Sequence, residues 1–183
     1  MIEIPKECTH VKIDIGLSKS APHSTIWLSH ESDLMVFGFE PNPDVFDKLT
    51  NKKLRPFKKR FSLQPYALSD TKSDNHKFYI NNLDPGTSSL FKPIDGHGNN
   101  PRFPGQGFGG LKKIIEVNVS TLNHFFKQFP WDRFTYIDYI KIDAQGSDLN
   151  ILKGCSEYLD KIVYITVEGD GWQYEGAGDC NDD

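Results

Sequence analysis

Apolar positions follow two alternating rhythms along the chain. Short continuous runs rich in β-branched residues alternate with segments of helical spacing. Val11-Lys12-Ile13-Asp14-Ile15-Gly16 reads as a buried parallel strand closed by glycine. Pro22 suits the first turn of a helix with Ser20 as its cap, and Ile26, Trp27 and Leu28 supply an apolar face. Residues 34–40 form a second strand. Asn42-Pro43-Asp44 starts a helix with a capping side chain, a proline and an acid, and Val45, Phe46 and Leu49 make it amphipathic. A third strand is expected over 61–67, and further strands over 76–81 and 114–119. Thr121 caps a helix expected over 122–129 and stopped by Pro130. A buried strand over 136–142 closes on Asp143-Ala144-Gln145-Gly146. Ser147 or Asp148 caps the helix after it, whose Leu149, Leu152 and Leu159 face inward around an interruption at Gly154. The last strand covers 161–167, with Glu168 at its tip.

That order predicts an α/β fold: a Rossmann-like, mostly parallel sheet with helices on both faces. Right-handed crossovers bring the tips carrying Asp14, Glu40, Asp143 and Glu168 to one edge. Clustered acids without partners cost stability, so their convergence points to function. Residues 95–110 hold six glycines and read as a mobile loop of the kind that forms lids. No internal repeat appears.

Composition removes several classes. The 183 residues suit one domain, and 37% hydrophobic with 25% charged residues describe a globular chain. The net charge of −4 and the shortness of Lys52-Lys53 and Lys58-Lys59-Arg60 disfavour nucleic acid as partner. No run of apolar residues is long enough to span a membrane, and the N-terminus does not read as a signal peptide. Cys8, Cys155 and Cys180 are odd in number and widely spaced, which suits a reducing compartment, so a cytoplasmic location is expected.

Asp14 and Gly16 at one strand tip, with Glu40 at the next, describe a nucleoside pocket. Gly16 lets backbone approach a ligand, and Glu40, 24 residues later, can hold a ribose diol. A dinucleotide site wants G-x-G-x-x-G, but Gly16-Leu17-Ser18-Lys19-Ser20-Ala21 has one glycine of the three. A Gly-Lys-Ser/Thr phosphate loop is absent too. A cofactor with adenosine but no phosphates fits better, and S-adenosylmethionine is the obvious one.

Several segments together resemble the FkbM-type methyltransferases. They are Ile13-Asp14-Ile15-Gly16, Phe39-Glu40-Pro41-Asn42-Pro43, Tyr66-Ala67-Leu68-Ser69-Asp70, Ser88-Ser89-Leu90, Val119-Ser120-Thr121-Leu122 and the stretch from Lys141 to Gly154. The resemblance covers roughly residues 11–168 and implies one S-adenosylmethionine-binding domain that methylates hydroxyl oxygens of sugars and related small molecules. It places Asp14 and Gly16, with Leu17 and Ser18, at the methionine end, and Glu40, beside Pro41, on the ribose. Ala67, Leu68, Tyr66 and Asp70 then bracket the adenine. Asp143 faces the reactive methyl, and Ser88 and Ser89 orient a polyol acceptor. Three positions depart from the family pattern. The first turn lacks a second glycine, Gln145 stands where an acid is usual, and only 15 residues follow Glu168. The family's terminal antiparallel strand pair is therefore expected to be incomplete, leaving a sheet edge open to a second copy.

An alcohol has a high pKa, so methylating it takes a base or a metal. Asp143 is the first candidate base and His97 the second. Asp143 and Glu168 also resemble two of the acids that hold Mg²⁺ in catechol-type methyltransferases, but two carboxylates alone make a weak site, so no metal is assigned. Glu168 is placed instead with the substrate contacts. The competing readings are a non-catalytic Rossmann-like module and an NAD-linked oxidoreductase, the latter disfavoured by the missing glycines.

Overall fold

The computed structural model describes residues 2–81, 85–94, 111–169 and 174–177. A five-stranded parallel sheet runs in the order β3-β2-β1-β7-β8. Its strands are β1 (His10–Ile15), β2 (Leu34–Phe39), β3 (Phe61–Gln64), β7 (Ile137–Ile142) and β8 (Ile162–Val167). A smaller mixed sheet, ordered β4-β6-β5, contains β4 (Ala67–Leu68), β5 (Ser73–Asn81) and β6 (Leu111–Ser120). Helices α1 (Pro22–His30), α2 (Pro43–Lys48), α3 (Leu122–Phe126) and α4 (Asp148–Lys153) complete the order.

Strand parity decides which helix meets which face, because alternate side chains point to opposite sides. Val11, Ile13, Ile15, Met35, Phe37 and Phe39 join Ile140 and Ile142 in a core closed by Leu122, Phe125 and Phe126 of α3 and Ile151 of α4. Leu34 and Val36 face the other way, onto Ala21, Leu28, Val45 and Leu49. The parity that buries Val11, Ile13 and Ile15 on one face therefore turns Lys12 and Asp14 toward the α1 face. There Asp14 lies directly beside Lys141 of β7.

Several expected elements change their bounds. The third strand stops at Gln64, because Pro65 lacks the N–H a ladder needs, and Ala67–Leu68 pairs with β6 in the second sheet instead. Ser20 does not cap α1; Ala21 holds the N-cap position in a left-handed conformation, and Ser24 with Leu28 is the buried side of the helix, while Ile26 is exposed. The helix after Thr121 ends at Phe126, with turns reaching Pro130. Leu159 is exposed in a short 3-10 turn, because α4 ends at Lys153. Asn42 and Thr121 do cap, accepting from Asp44 N at 3.1 Å and His124 N at 3.0 Å. Among the described residues no helix is long and apolar enough to cross a membrane.

Candidate active site

β1 leads by way of α1 to β2 on one side, while β7 flanks it on the other, so the strand order reverses between β1 and β7. Ligands of open α/β sheets bind outside the strand ends at such a switch point. Here a cleft of about 540 Å³, open water included, lies at that place. Its walls include Gly16, Ser18, Glu40, Pro41, Ala67, Leu68, Ser88 and Asp143, all expected there from sequence. Ile15, Phe39, Phe78, Gly86, Leu90, Ala144, Gln145 and Ser147 join them.

Glu40 follows β2 and is 7% exposed. Its Oε1 accepts from Asn42 N at 2.8 Å. Burial pushes its carboxyl up to about 7, and the hydrogen bond from the Asn42 amide opposes this. A buried carboxylate on an apolar wall is suited to accept hydrogen bonds from a neutral diol. Phe39, Ala67 and Leu68 supply an apolar wall beside it. This donor and acceptor set fits a nucleoside. Glu40 would hold the ribose, the apolar wall the base, and Gly16, Ser18 and Asp143 the far end.

Gly16 has φ +76°, and a Cβ there would fall 1.7 Å from the Asp143 carbonyl oxygen. The glycine is thus required by the close approach of the β1 and β7 tips as well as by its backbone conformation.

Asp143 lies just past β7. Its Oδ1 accepts from Gln145 Nε2 at 2.8 Å, and its Oδ2 lies 3.0 Å from Lys141 Nζ. Burial acts to raise the Asp143 carboxyl, but the contact with Glu168, the Lys141 charge and the Gln145 amide outweigh it and hold the carboxyl below its ordinary value. Gln145 Nε2 also donates to Glu168 Oε2 at 2.8 Å, so one amide joins the tips of β7 and β8. Asp148 is raised by burial and is held by Ala144 N at 2.7 Å and Gly169 N at 3.2 Å.

Six expected residues stand off the wall. Asp14 is fully buried and turns its Oδ2 to Ser24, accepting from the hydroxyl at 2.6 Å and the amide at 3.2 Å. Leu17 packs into the α1 core. Tyr66 lies edge-on to Phe39, and Asp70 is exposed beside Ser69. Ser89 is buried and donates to the Gln145 carbonyl oxygen at 2.6 Å. Glu168 reaches the site through Gln145. His97 and Trp172, with the loop over 95–110, lie outside the described residues.

Sequence reasoning missed Lys141 as part of this centre, and it offered Tyr174 either for stacking on a sugar ring or as a hydrophobic clasp, without its contact to Gln145. Lys141 Nζ donates to the Gly16 carbonyl oxygen at 2.8 Å and stands 3.7 Å from Asp14 Oδ1. A lysine within an otherwise apolar buried strand was the signal available. Tyr174 is buried, with its hydroxyl 2.7 Å from Gln145 Oε1 and 3.0 Å from the Thr87 carbonyl oxygen.

The fold and this cleft define the class: an open, mostly parallel α/β sheet with helices, and a cleft at the β1–β7 switch point. Residues 14–182 match the model of the methyltransferase FkbM domain, and the chain belongs to that family. It is also similar to the hexuronic acid methyltransferase AglP of Haloferax volcanii, 27% identical over 133 residues. That match takes in 73% of this chain and 46% of AglP, so the chain spans about half the length of its curated relative. No solved structure matches it.

Proposed function

We propose that this protein transfers a methyl group from S-adenosylmethionine to a hydroxyl oxygen of a small acceptor such as a sugar. The observation that carries the reading is Glu40, a buried carboxylate on the cleft wall beside the apolar Phe39, Ala67 and Leu68, with its carboxyl pushed up to about 7 by burial. Family membership supports methyl transfer, and the likeness to a hexuronic acid methyltransferase favours a hydroxylated acceptor.

When bound, S-adenosylmethionine supplies a methyl activated by the sulfonium it leaves. The chain's own residues do the rest. Glu40 accepts hydrogen bonds from the ribose hydroxyls. Phe39, Ala67 and Leu68 exclude water around the adenine. Asp143 holds the acceptor hydroxyl and takes its proton onto a carboxylate oxygen, since each oxygen keeps a lone pair beyond those used by Gln145 and Lys141. Ser88 orients the acceptor from the opposite wall. Among the described residues β8 is the last strand of the main sheet, which favours pairing with a second copy, and light scattering during size-exclusion chromatography measures this.

Calorimetric titration with S-adenosylhomocysteine, on the wild type and on Glu40→Ala, tests the reading. Micromolar binding that falls at least about tenfold in the variant is expected, equivalent to losing one charged hydrogen bond or more. Absence of binding to the wild type would overturn it.

A further inference from the structure

Gln145, on the cleft wall, bonds through both ends of its side-chain amide and through its backbone carbonyl. Its Nε2 donates to Asp143 Oδ1 and to Glu168 Oε2, each at 2.8 Å. Its Oε1 lies 2.7 Å from the buried Tyr174 hydroxyl, and its carbonyl oxygen accepts from Ser89 Oγ at 2.6 Å. Its backbone sits at φ +53°, a left-handed conformation that costs a non-glycine residue about 1 kcal/mol. Such a conformation persists where surrounding contacts over-determine it, and four separate partners do so here.

We propose that Gln145 is a positioning residue that clamps Asp143 and Glu168 into a fixed pair at the acceptor end of the cleft. Its role in the reaction rests on the methyl-transfer reading above; the clamp itself rests on the contacts. The Asp143 and Glu168 carboxyls meet at adjacent strand tips, where Glu168 acts to lower Asp143, and a neutral amide with two N–H groups satisfies one oxygen of each without adding charge. The two acids, which accept, turn the NH2 end of the amide toward themselves, and this leaves Oε1 facing the Tyr174 hydroxyl. A carboxylate at 145, as in the wider family pattern, would place a third acid against the same two oxygens. That added negative charge would act to raise the Asp143 carboxyl toward protonation.

The groups that face Asp143 come from every element around it. They are Lys141 from β7, Glu168 from the end of β8, Asp148 from α4, Tyr174 from the C-terminal segment, and Asp14 of β1 through Lys141. Among these described groups Lys141 is the cation. Replacing Gln145 by an acid therefore moves the balance at Asp143 in one direction, toward protonation.

The test is a carboxyl-carbon NMR titration of ¹³C-labelled aspartate and glutamate, with Asp143→Asn used to assign the Asp143 signal. It compares the wild type with Gln145→Glu and Gln145→Met, each checked for folding by thermal melting. The wild-type Asp143 signal is expected to titrate below the ordinary aspartate range. It should move up by about one pH unit or more in Gln145→Glu and by less in Gln145→Met. An Asp143 midpoint unchanged in both variants overturns the proposal, as does a wild-type midpoint at or above the ordinary range. Gln145→Met adds no charge, so it keeps the test decisive if the glutamate variant does not fold. The titration needs no ligand. Failure of the wild type to bind S-adenosylhomocysteine would count against the methyl-transfer reading and leave the clamp standing.

Discussion

The Lys141 ammonium stands 3.0 Å from Asp143 Oδ2. The same nitrogen donates to the Gly16 carbonyl oxygen and lies within 3.7 Å of Asp14. One buried cation thus joins the tip of β1 to the residue just past β7, at the place where the strand order reverses. Removing it takes the nearest cation from the buried Asp14 and from Asp143 at once, which is more damaging than losing an exposed pair. Lys141→Met should destabilise the fold by about 3 kcal/mol at neutral pH. For a chain of this size that lowers Tm by roughly 6–12 °C. The loss should shrink in acid, where Asp14 and Asp143 take up protons, and Asp14→Asn in the same chain should restore part of it. Thermal unfolding across pH measures all three.

Glu40 ties stability and binding to pH in opposite senses. Its folded carboxyl is raised from 4.5 to about 7, so between those values the folded state holds more protons than the unfolded one. Stability from this group is present below 4.5 and is lost as pH rises through about 7. Glu40→Gln should therefore stabilise the ligand-free protein by about 2 kcal/mol at pH 8 and leave it nearly unchanged at pH 4. Binding runs the other way, since a diol donates to the ionised form. Affinity for S-adenosylhomocysteine should rise as pH passes about 7, with proton release seen as a buffer-dependent heat.

Gly16→Ala and Gly154→Ala separate two kinds of close approach. At Gly16 both the positive φ and the Asp143 carbonyl oxygen, 1.7 Å from an added Cβ, oppose any side chain. At Gly154 the backbone is ordinary, but an added Cβ would fall 2.2 Å from the Ser69 carbonyl oxygen. Both variants should lose about 4 kcal/mol or more, read from chemical denaturation. Gly16→Ala should in addition abolish cofactor binding in whatever fraction folds, because the β1 and β7 tips can no longer meet.

Arg133 anchors the N-terminal segment by donating to the carbonyl oxygens of Ile4, Pro5, Lys6 and Cys8. Lysine cannot reproduce that fork of donors. Arg133→Lys should expose residues 2–8 to limited proteolysis and speed their amide exchange, with the cleft's affinity for S-adenosylhomocysteine unchanged. Protection equal to wild type would remove the anchoring role.

The main sheet was legible because its strands are continuous apolar runs closed by Gly16, Glu40 and Asp143, and parallel strands buried on both faces read that way. The small sheet was legible only in part: the strands expected over 76–81 and 114–119 fall inside β5 and β6, but β4 has two residues and its membership depends on its partner β6.

 The paired residues themselves, Ala67 and Val119, are 52 positions apart, and no local pattern encodes a pairing over that range. At the site, the residues that a strand tip must present were readable: Gly16, Glu40 and Asp143. The residues that hold them were not. Lys141 looks like an interruption of an apolar strand until Asp14 is placed beside it. Gln145 looks like a departure until Glu168 and Tyr174 arrive from the far end of the chain. Asp14 itself shows the limit of reading a tip residue as a ligand contact, because strand parity turns it toward Ser24 and away from the cleft.

The adjacency of β1 and β7 also sets when the protein can first bind anything. Gly16 and Asp143 form one corner of the cleft, yet more than a hundred residues are made between them. During synthesis the chain can complete β1, α1 and β2 early, but the Glu40 side of the cleft then has no opposite wall. That wall arrives only when β7 and the turn through Ser147 have emerged and docked against β1. Closing so long a loop is a late and slow event in folding. A nascent chain stopped before residue 147 should bind no nucleoside, whereas the full chain gains a ligand's stabilisation all at once. For this fold, affinity is therefore a readout of completed assembly, with no partial site for a ligand to find along the way.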